Sequence, residues 1–139
     1  MSVRSAVIQI KTRGFADMHD LTQRASEFLA SSGIQQGLFC AFVPGATAGI
    51  TTIEYEEGAL EDLKAAIERI APQDMHYRHD ARWGDGNGFA HVRAALLGPS
   101  LTVPVSEGKL RLGTWQQILL VDFDNRPRNR EVMFEAVGE

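Results

Sequence analysis

Apolar and polar positions change rhythm several times along the chain, and each change predicts an element. Val3 to Ile10 alternates apolar with polar and β-branched residues, the period of two expected of a strand. Past Gly14, Asp17 or Asp20 can cap a helix running to about Ser32, because Leu21, Ala25, Phe28 and Leu29 recur at helical spacing. His19 is expected within that first helix, as a structural or exposed residue, and Gly33 supplies its C-terminal stop. Gly37 to Val43 is dense in apolar and aromatic residues and predicts a buried strand, broken by Pro44 and Gly45. Ala48 to Tyr55, rich in Thr and Ile, predicts the next strand.

A second helical stripe follows. Ala59, Leu60, Leu63, Ile67 and Ile70 fall on one side, while Glu61, Asp62, Lys64, Glu68 and Arg69 lie off it, and Pro72 ends the run. Gln73 to Gly88 reads as a long polar connection, a length more common in functional loops than in passive ones. Phe89 to Leu97 predicts a short helix stopped by Gly98. Strands are then expected at Ser100–Val105, Leu110–Leu112, Thr114–Phe123 and Glu131–Val137, with turns at Glu107-Gly108 and Asn125–Asn129. Helices early and an antiparallel run late, with no repeat or linker, predict one α+β domain over residues 1–139: a mostly antiparallel sheet packed with two to three helices.

Composition narrows the class. Fourteen basic residues against eighteen acidic ones leave a net charge of -4, which disfavours a nonspecific nucleic-acid binder. The single cysteine, Cys40, cannot close an internal disulfide and reads as a small buried hydrophobe. The first apolar stretch is too short for a leader peptide, and no run approaches the ~20 residues of a membrane span. A cytoplasmic protein without membrane or nucleic-acid partners is the expectation.

Five groups of residues carry candidate chemistry. His76, His79 and His91 can offer imidazole to a divalent metal, with Asp80 and Asp85 as further oxygen ligands, although the spacing matches no strong zinc signature. Solvated loop histidines are the alternative. Asp85-Gly86-Asn87-Gly88 opens a helix whose free N–H groups attract anions, but the motif lacks the spacing of a P-loop or dinucleotide fingerprint, and an ordinary glycine-rich cap is the favoured alternative. Arg128 and Arg130, on extended backbone, project to one face and suit a phosphate, unless they pair with Asp122 and Asp124 nearby. Glu54 ends a β-branched strand and can serve as a general acid or base if part-buried, or stand as a surface residue beside Glu56 and Glu57. Trp115 and Gln116 can stack and orient a heteroaromatic ring, or form a core Trp with a hydrogen-bonded amide.

Taken in order, several short motifs resemble the YjbQ family, often described as secondary thiamine-phosphate synthases. They are Thr47-Ala48-Gly49-Ile50-Thr51 followed by Glu54, then Tyr77-Arg78-His79-Asp80, Asn87-Gly88 and Ala90-His91. Leu97-Gly98-Pro99-Ser100, Val103-Pro104-Val105, Gly108, Leu112-Gly113-Thr114-Trp115-Gln116 and Pro127-Arg128-Asn129-Arg130 continue the series. The resemblance implies an α+β homotrimer that handles a small phosphorylated heterocycle, joining a hydroxymethylpyrimidine diphosphate to a thiazole phosphate with release of pyrophosphate. It implies catalytic roles for Glu54, His79 and His91, and a divalent ion, zinc or magnesium, on His79 and His91. It also implies substrate contacts from Asn87, Gly88, Trp115, Gln116, Arg128 and Arg130, meeting in one polar cleft or across a subunit boundary. A metal-dependent hydrolase or phosphotransferase, or a non-catalytic metal- or ligand-binding trimer, would use the same groups. One position departs from the family pattern: Gly45 stands where a histidine commonly precedes the Thr-Ala stretch.

Overall fold

A computed structural model describes residues 1–139. Its strands are β1 (Ser2–Thr12), β2 (Asp17–Asp20), β3 (Gln36–Phe42), β4 (Ala48–Ile53), β5 (Ser100–Ser106), β6 (Lys109–Leu110), β7 (Gln117–Asp122) and β8 (Arg128–Gly138). Its helices are α1 (Thr22–Ser32), α2 (Glu57–Ile70), α3 (Arg78–Trp83) and α4 (Gly88–Leu97). All strand pairings are antiparallel, in two sheets ordered β1-β8-β3-β5-β6 and β2-β7-β4. The domain is α+β, as the patterning predicts.

The sheets stack in layers, and the sequence shows why. Along β8 the even positions Val132, Phe134 and Ala136 are buried and the odd ones exposed, so only one face of the five-stranded sheet meets the core. That face packs Phe39, Val103 and Phe134 against Ile50, Ile118 and Leu120 of the three-stranded sheet, with Ala25 and Leu29 of α1. The three-stranded sheet turns its other face, through Leu119, Val121 and Phe123, to Phe89, Ala90 and Ala94 of α4 and to Leu60, Leu63 and Ile67 of α2. Ile118 to Val121 are therefore buried without alternation, because β7 has a core on each side.

Helix ends follow local chemistry. Glu56 accepts hydrogen bonds from Gly58 N (2.8 Å) and Ala59 N (2.7 Å), which fixes the start of α2. Those N–H groups hold the Glu56 carboxyl below its usual range. Gly33, at φ 76°, ends α1 in the left-handed conformation that glycine favours.

Three expectations need correction. Asp17–Asp20 is a strand, so His19 lies opposite Leu120 on β2 and not in a helix. The connection Gln73–Gly88 holds a helix, α3. β7 begins at Gln117, because residues 113–116 form a turn closed by Gln116 N donating to Gly113 O and Gly113 N donating to Gln116 Oε1.

Candidate metal centre

The start of α4 and the loop before it bring three donors together. His79 on α3, Asp85 on the loop and His91 on α4 place one ligand atom each within 4.8 Å of one another. The two imidazole rings lie 4.1 Å apart at 35°. His79 Nδ1 is 3.3 Å from Asp85 Oδ1 but too poorly aligned for a hydrogen bond, and it is enclosed without a partner. A buried nitrogen with no partner is costly unless something else satisfies it. Ligands of a tetrahedral ion at ~2.1 Å lie roughly 3.4 Å from one another, so the spacing suits a metal. Two imidazoles and one carboxylate favour zinc over magnesium, which prefers an all-oxygen shell.

Backbone contacts hold this loop. Asp85 Oδ1 accepts from Asn87 N (3.2 Å), and the Asp85 carbonyl accepts from Asn125 Nδ2 (2.8 Å). Asn125 N in turn donates to Asn87 Oδ1 (3.1 Å). Asp80 Oδ1 accepts from Gly88 N at 2.8 Å, so the start of α4 already carries a carboxylate of this chain. A Cβ on Gly88 would meet Tyr77 Cβ at 2.5 Å, so glycine here serves close packing. Tyr77 itself donates its hydroxyl to Pro72 O, and burial pushes its phenol upward.

Beside the loop lies a buried ion cluster that joins the two sheets. Arg130 donates to Asp122 through Nε (2.6 Å) and Nη2 (2.9 Å), and its Nη2 also reaches Thr47 Oγ1 (2.7 Å). Asp122 further accepts from Thr12 Oγ1 (2.5 Å). Asp124 Oδ2 accepts from Thr47 Oγ1 (2.8 Å) and Arg128 Nε (3.0 Å), and Arg128 Nη2 stands 2.9 Å away in the same ion pair. Burial works to raise the Asp124 carboxyl, but the hydrogen bonds from Thr47 and Arg128 and the Arg128 charge outweigh it and hold it below its usual range. Asp17, on β2, behaves alike: burial is overcome by Arg13 N, His19 and the Arg13 guanidinium.

The sequence-predicted residues thus separate into groups. His79 and His91 come together and Asp85 joins them, whereas His76 is exposed on the loop outside the cluster. Arg128 and Arg130 do project to one side of β8, but each is matched by an aspartate, the pairing expected as their alternative. Asn87 and Gly88 spend polar groups on the fold. Glu54 is exposed at the far end of β4. Trp115 is 72% exposed, not a core residue, and Gln116 Nε2 donates to Thr52 Oγ1 (3.3 Å). Ala48 pairs with Asp122 and Ile53 with Gln117, so the histidine end and the Trp115 end of the β4–β7 pair lie roughly 17 Å apart at 3.4 Å per residue. One protomer does not gather the whole residue set into one cleft. The sequence assigns no site role to Thr12, to Thr47 beyond its family motif, or to Asn125 beyond its turn, whereas Asp122 and Asp124 are legible as partners for Arg128 and Arg130 by their closeness in the chain. Gly45, at φ 116°, lies on Arg130: a Cβ there would stand 3.1 Å from Nη1.

Fold and site define a small α+β protein with two stacked sheets, a helical layer, and a His-Asp-His cluster beside a buried Asp-Arg network. The model of UPF0047 protein YjbQ-like matches residues 6–139. The chain belongs to this YjbQ/UPF0047 family. It is 37% identical over 139 residues to a UPF0047 protein of Methanothermobacter thermautotrophicus, covering 100% of this chain and 95% of the relative. It is 42% identical over 118 residues to UPF0047 protein Rv2556c of Mycobacterium tuberculosis, covering 85% and 86%. Among solved structures, a YbjQ-like protein of unknown function from Sulfolobus solfataricus superposes with a TM-score of 0.94 at 33% identity, covering 99% of each chain. A hypothetical protein from Aeropyrum pernix superposes at 0.90 and 32% identity, covering 98% of this chain and 99% of its own.

Proposed function

We propose that the protein is a metal-assisted enzyme acting on a small phosphorylated substrate, with His79, Asp85 and His91 as the ligands of a zinc-type ion. The observation that carries this is His79 Nδ1, enclosed and unpartnered between Asp85 and the His91 ring. Such an ion supplies Lewis-acid stabilisation of charge developing on a phosphoryl or pyrophosphate oxygen. The chain's own groups orient the ligands: Asn87 N and Asn125 Nδ2 fix the Asp85 loop.

Within this reading, the reaction we propose is the thiamine-phosphate synthase-like one that the sequence motifs suggest. The methylene carbon that the pyrimidine carries loses its bond to a diphosphate oxygen and gains one to the ring nitrogen of the thiazole phosphate, and pyrophosphate leaves with the electron pair of the broken C–O bond. Trp115 and Gln116 would receive the ring and Glu54 would stabilise or deprotonate it. Because those three lie at the other end of β4–β7, the reaction needs a neighbouring subunit to complete the site. The homotrimer is therefore part of the proposal. It is supported by the outer face of the five-stranded sheet, where Val3, Val137 and Leu38 make one exposed apolar row and Val7, Met133 and Phe42 another. A hydrolase or phosphotransferase using the metal half alone is the second reading, favoured by the same separation.

The test is phosphorus NMR on the metal-loaded protein. Pyrophosphate release only with both thiamine precursors present supports the synthase. Release of phosphate from a single phosphorylated substrate supports the hydrolase. Absence of stoichiometric metal after adding zinc, manganese or magnesium would sink both.

A further inference from the structure

The connection between β3 and β4 holds binding capacity that the fold does not use. Arg130 is 9% exposed, and two of its three guanidinium nitrogens are committed, Nε to Asp122 and Nη2 to Asp122 and Thr47. Nη1 has no protein acceptor. It faces Gly45 on the side where any other residue would carry its Cβ, at 3.1 Å. Glycine at this place leaves the nitrogen open, and φ 116° is itself a conformation that other residues rarely adopt. The same turn has three further donors. The N–H groups of Gly45, Ala46 and Thr47 have no acceptor in the protein, although Thr47 is buried and Arg130 and Asp124 lie against its side chain. Unpaired backbone donors in a turn that lies against a fixed guanidinium nitrogen suit a tetrahedral oxyanion.

We infer that the Gly45–Thr47 turn and Arg130 Nη1 form an oxyanion subsite for the phosphoryl group of the ligand. The subsite rests on the proposed function for its substrate class, but not on the metal. Arg130 itself is held rigidly: its two bonds to Asp122 fix the plane of the guanidinium, so Nη1 is aimed in advance. Thr47 links this turn to Asp124, and the next residue, Asn125, donates its Nδ2 to the carbonyl of Asp85. The turn and the His-Asp-His cluster are thus two ends of one network, suited to a ligand with a phosphoryl group at one end. The charges of Arg128 and Arg130 are balanced by Asp122 and Asp124, so the subsite works by aimed donors more than by excess charge.

Ala46 is exposed and supplies the handle for a test. Metal is stripped with a chelator, and inorganic phosphate is titrated into 15N-labelled protein while the amide shifts of residues 45–47 are followed. Wild type is expected to show saturable shifts at Gly45, Ala46 and Thr47. Ala46→Glu, which sets a carboxylate beside the turn, is expected to weaken binding at least ~10-fold, and Ala46→Gln less than ~3-fold, both with the wild-type melting temperature. Saturation without shifts at 45–47, equal affinity in wild type and Ala46→Glu, or no saturable binding of phosphate would each overturn the subsite. Cobalt titration of the same preparation, read by its visible absorption, reports separately on His79, Asp85 and His91. Loss of the subsite with intact cobalt binding thus leaves the metal reading standing.

Discussion

Arg130 on β8 grips Asp122 on β7 with two hydrogen bonds, of 2.6 and 2.9 Å, and this pair ties the five-stranded sheet to the three-stranded one. Both side chains are at least nine-tenths buried. Removing one partner leaves the other charged without water or a counterion. Arg130→Ala is therefore expected to lower unfolding stability by ~3–5 kcal/mol, read from urea melts. Arg130→Lys keeps the charge but loses the fork and should fall between the two. A melt of Arg130→Ala matching wild type would show that the pair contributes nothing net.

Acid should act through the carboxyls that the fold holds below their usual range. Asp17 and Asp124 bind fewer protons folded than unfolded, so acidification favours the unfolded chain. Their contribution is complete above the unfolded value and is lost as pH falls below about 5 through the lower folded values. Stability measured from about pH 6 down to about pH 3 should drop less steeply in Asp124→Asn than in wild type, from a lower starting point. Parallel curves would remove Asp124 from the acid response.

His79→Ala and His91→Ala are each expected to abolish stoichiometric zinc in protein purified without an affinity tag, as measured by elemental analysis. Asp85→Asn should weaken binding without abolishing it, since a neutral oxygen remains. His76→Ala should leave the metal content unchanged, because that side chain is exposed outside the cluster. Zinc retained in the first two variants would move the site elsewhere.

Trp115→Ala should shift stability by no more than ~0.5 kcal/mol, the range of surface substitutions, because the ring is 72% exposed on a turn. If the neighbouring subunit's ligand site uses it, substrate affinity falls while the melting midpoint of the isolated protomer stays. A large loss of stability would instead reveal that the ring is covered in the assembly.

Leu38→Glu places a charge in the exposed row Val3–Val137–Leu38. If the proposed trimer assembles through this face, light scattering will show the mass of the variant fall to that of a monomer, with the circular dichroism spectrum retained. A wild-type mass for the variant would direct attention to another face.

Most of the fold was legible because its strands and helices bury one face each and so keep a clear period. Asp17–Asp20 was not, because an edge strand of four polar-flanked residues resembles a capped helix start, and only its pairing with Leu119–Asp122 reveals it. α3 was hidden because none of its six residues is buried. In the site, the imidazoles at 79 and 91 and the carboxylates at 80 and 85 stood out by chemistry, but only the fold of the loop decides that Asp85 joins the histidines while Asp80 accepts from Gly88 N. The distance of Trp115, Gln116 and Glu54 from the histidines depends on β4–β7 register, which no local pattern encodes.

β7 touches a core on both faces, ends on Asp122 and is followed two residues later by Asp124. Its amides should be among the slowest to exchange with deuterated solvent, since they open only with the whole molecule. The carboxylates that anchor both arginines therefore share the lifetime of the most protected segment, while the His79 and Asp85 side of the centre rides on a loop and a short helix. One wall of the candidate centre is as durable as the fold itself, and the opposite wall hangs on a six-residue helix that buries none of its residues.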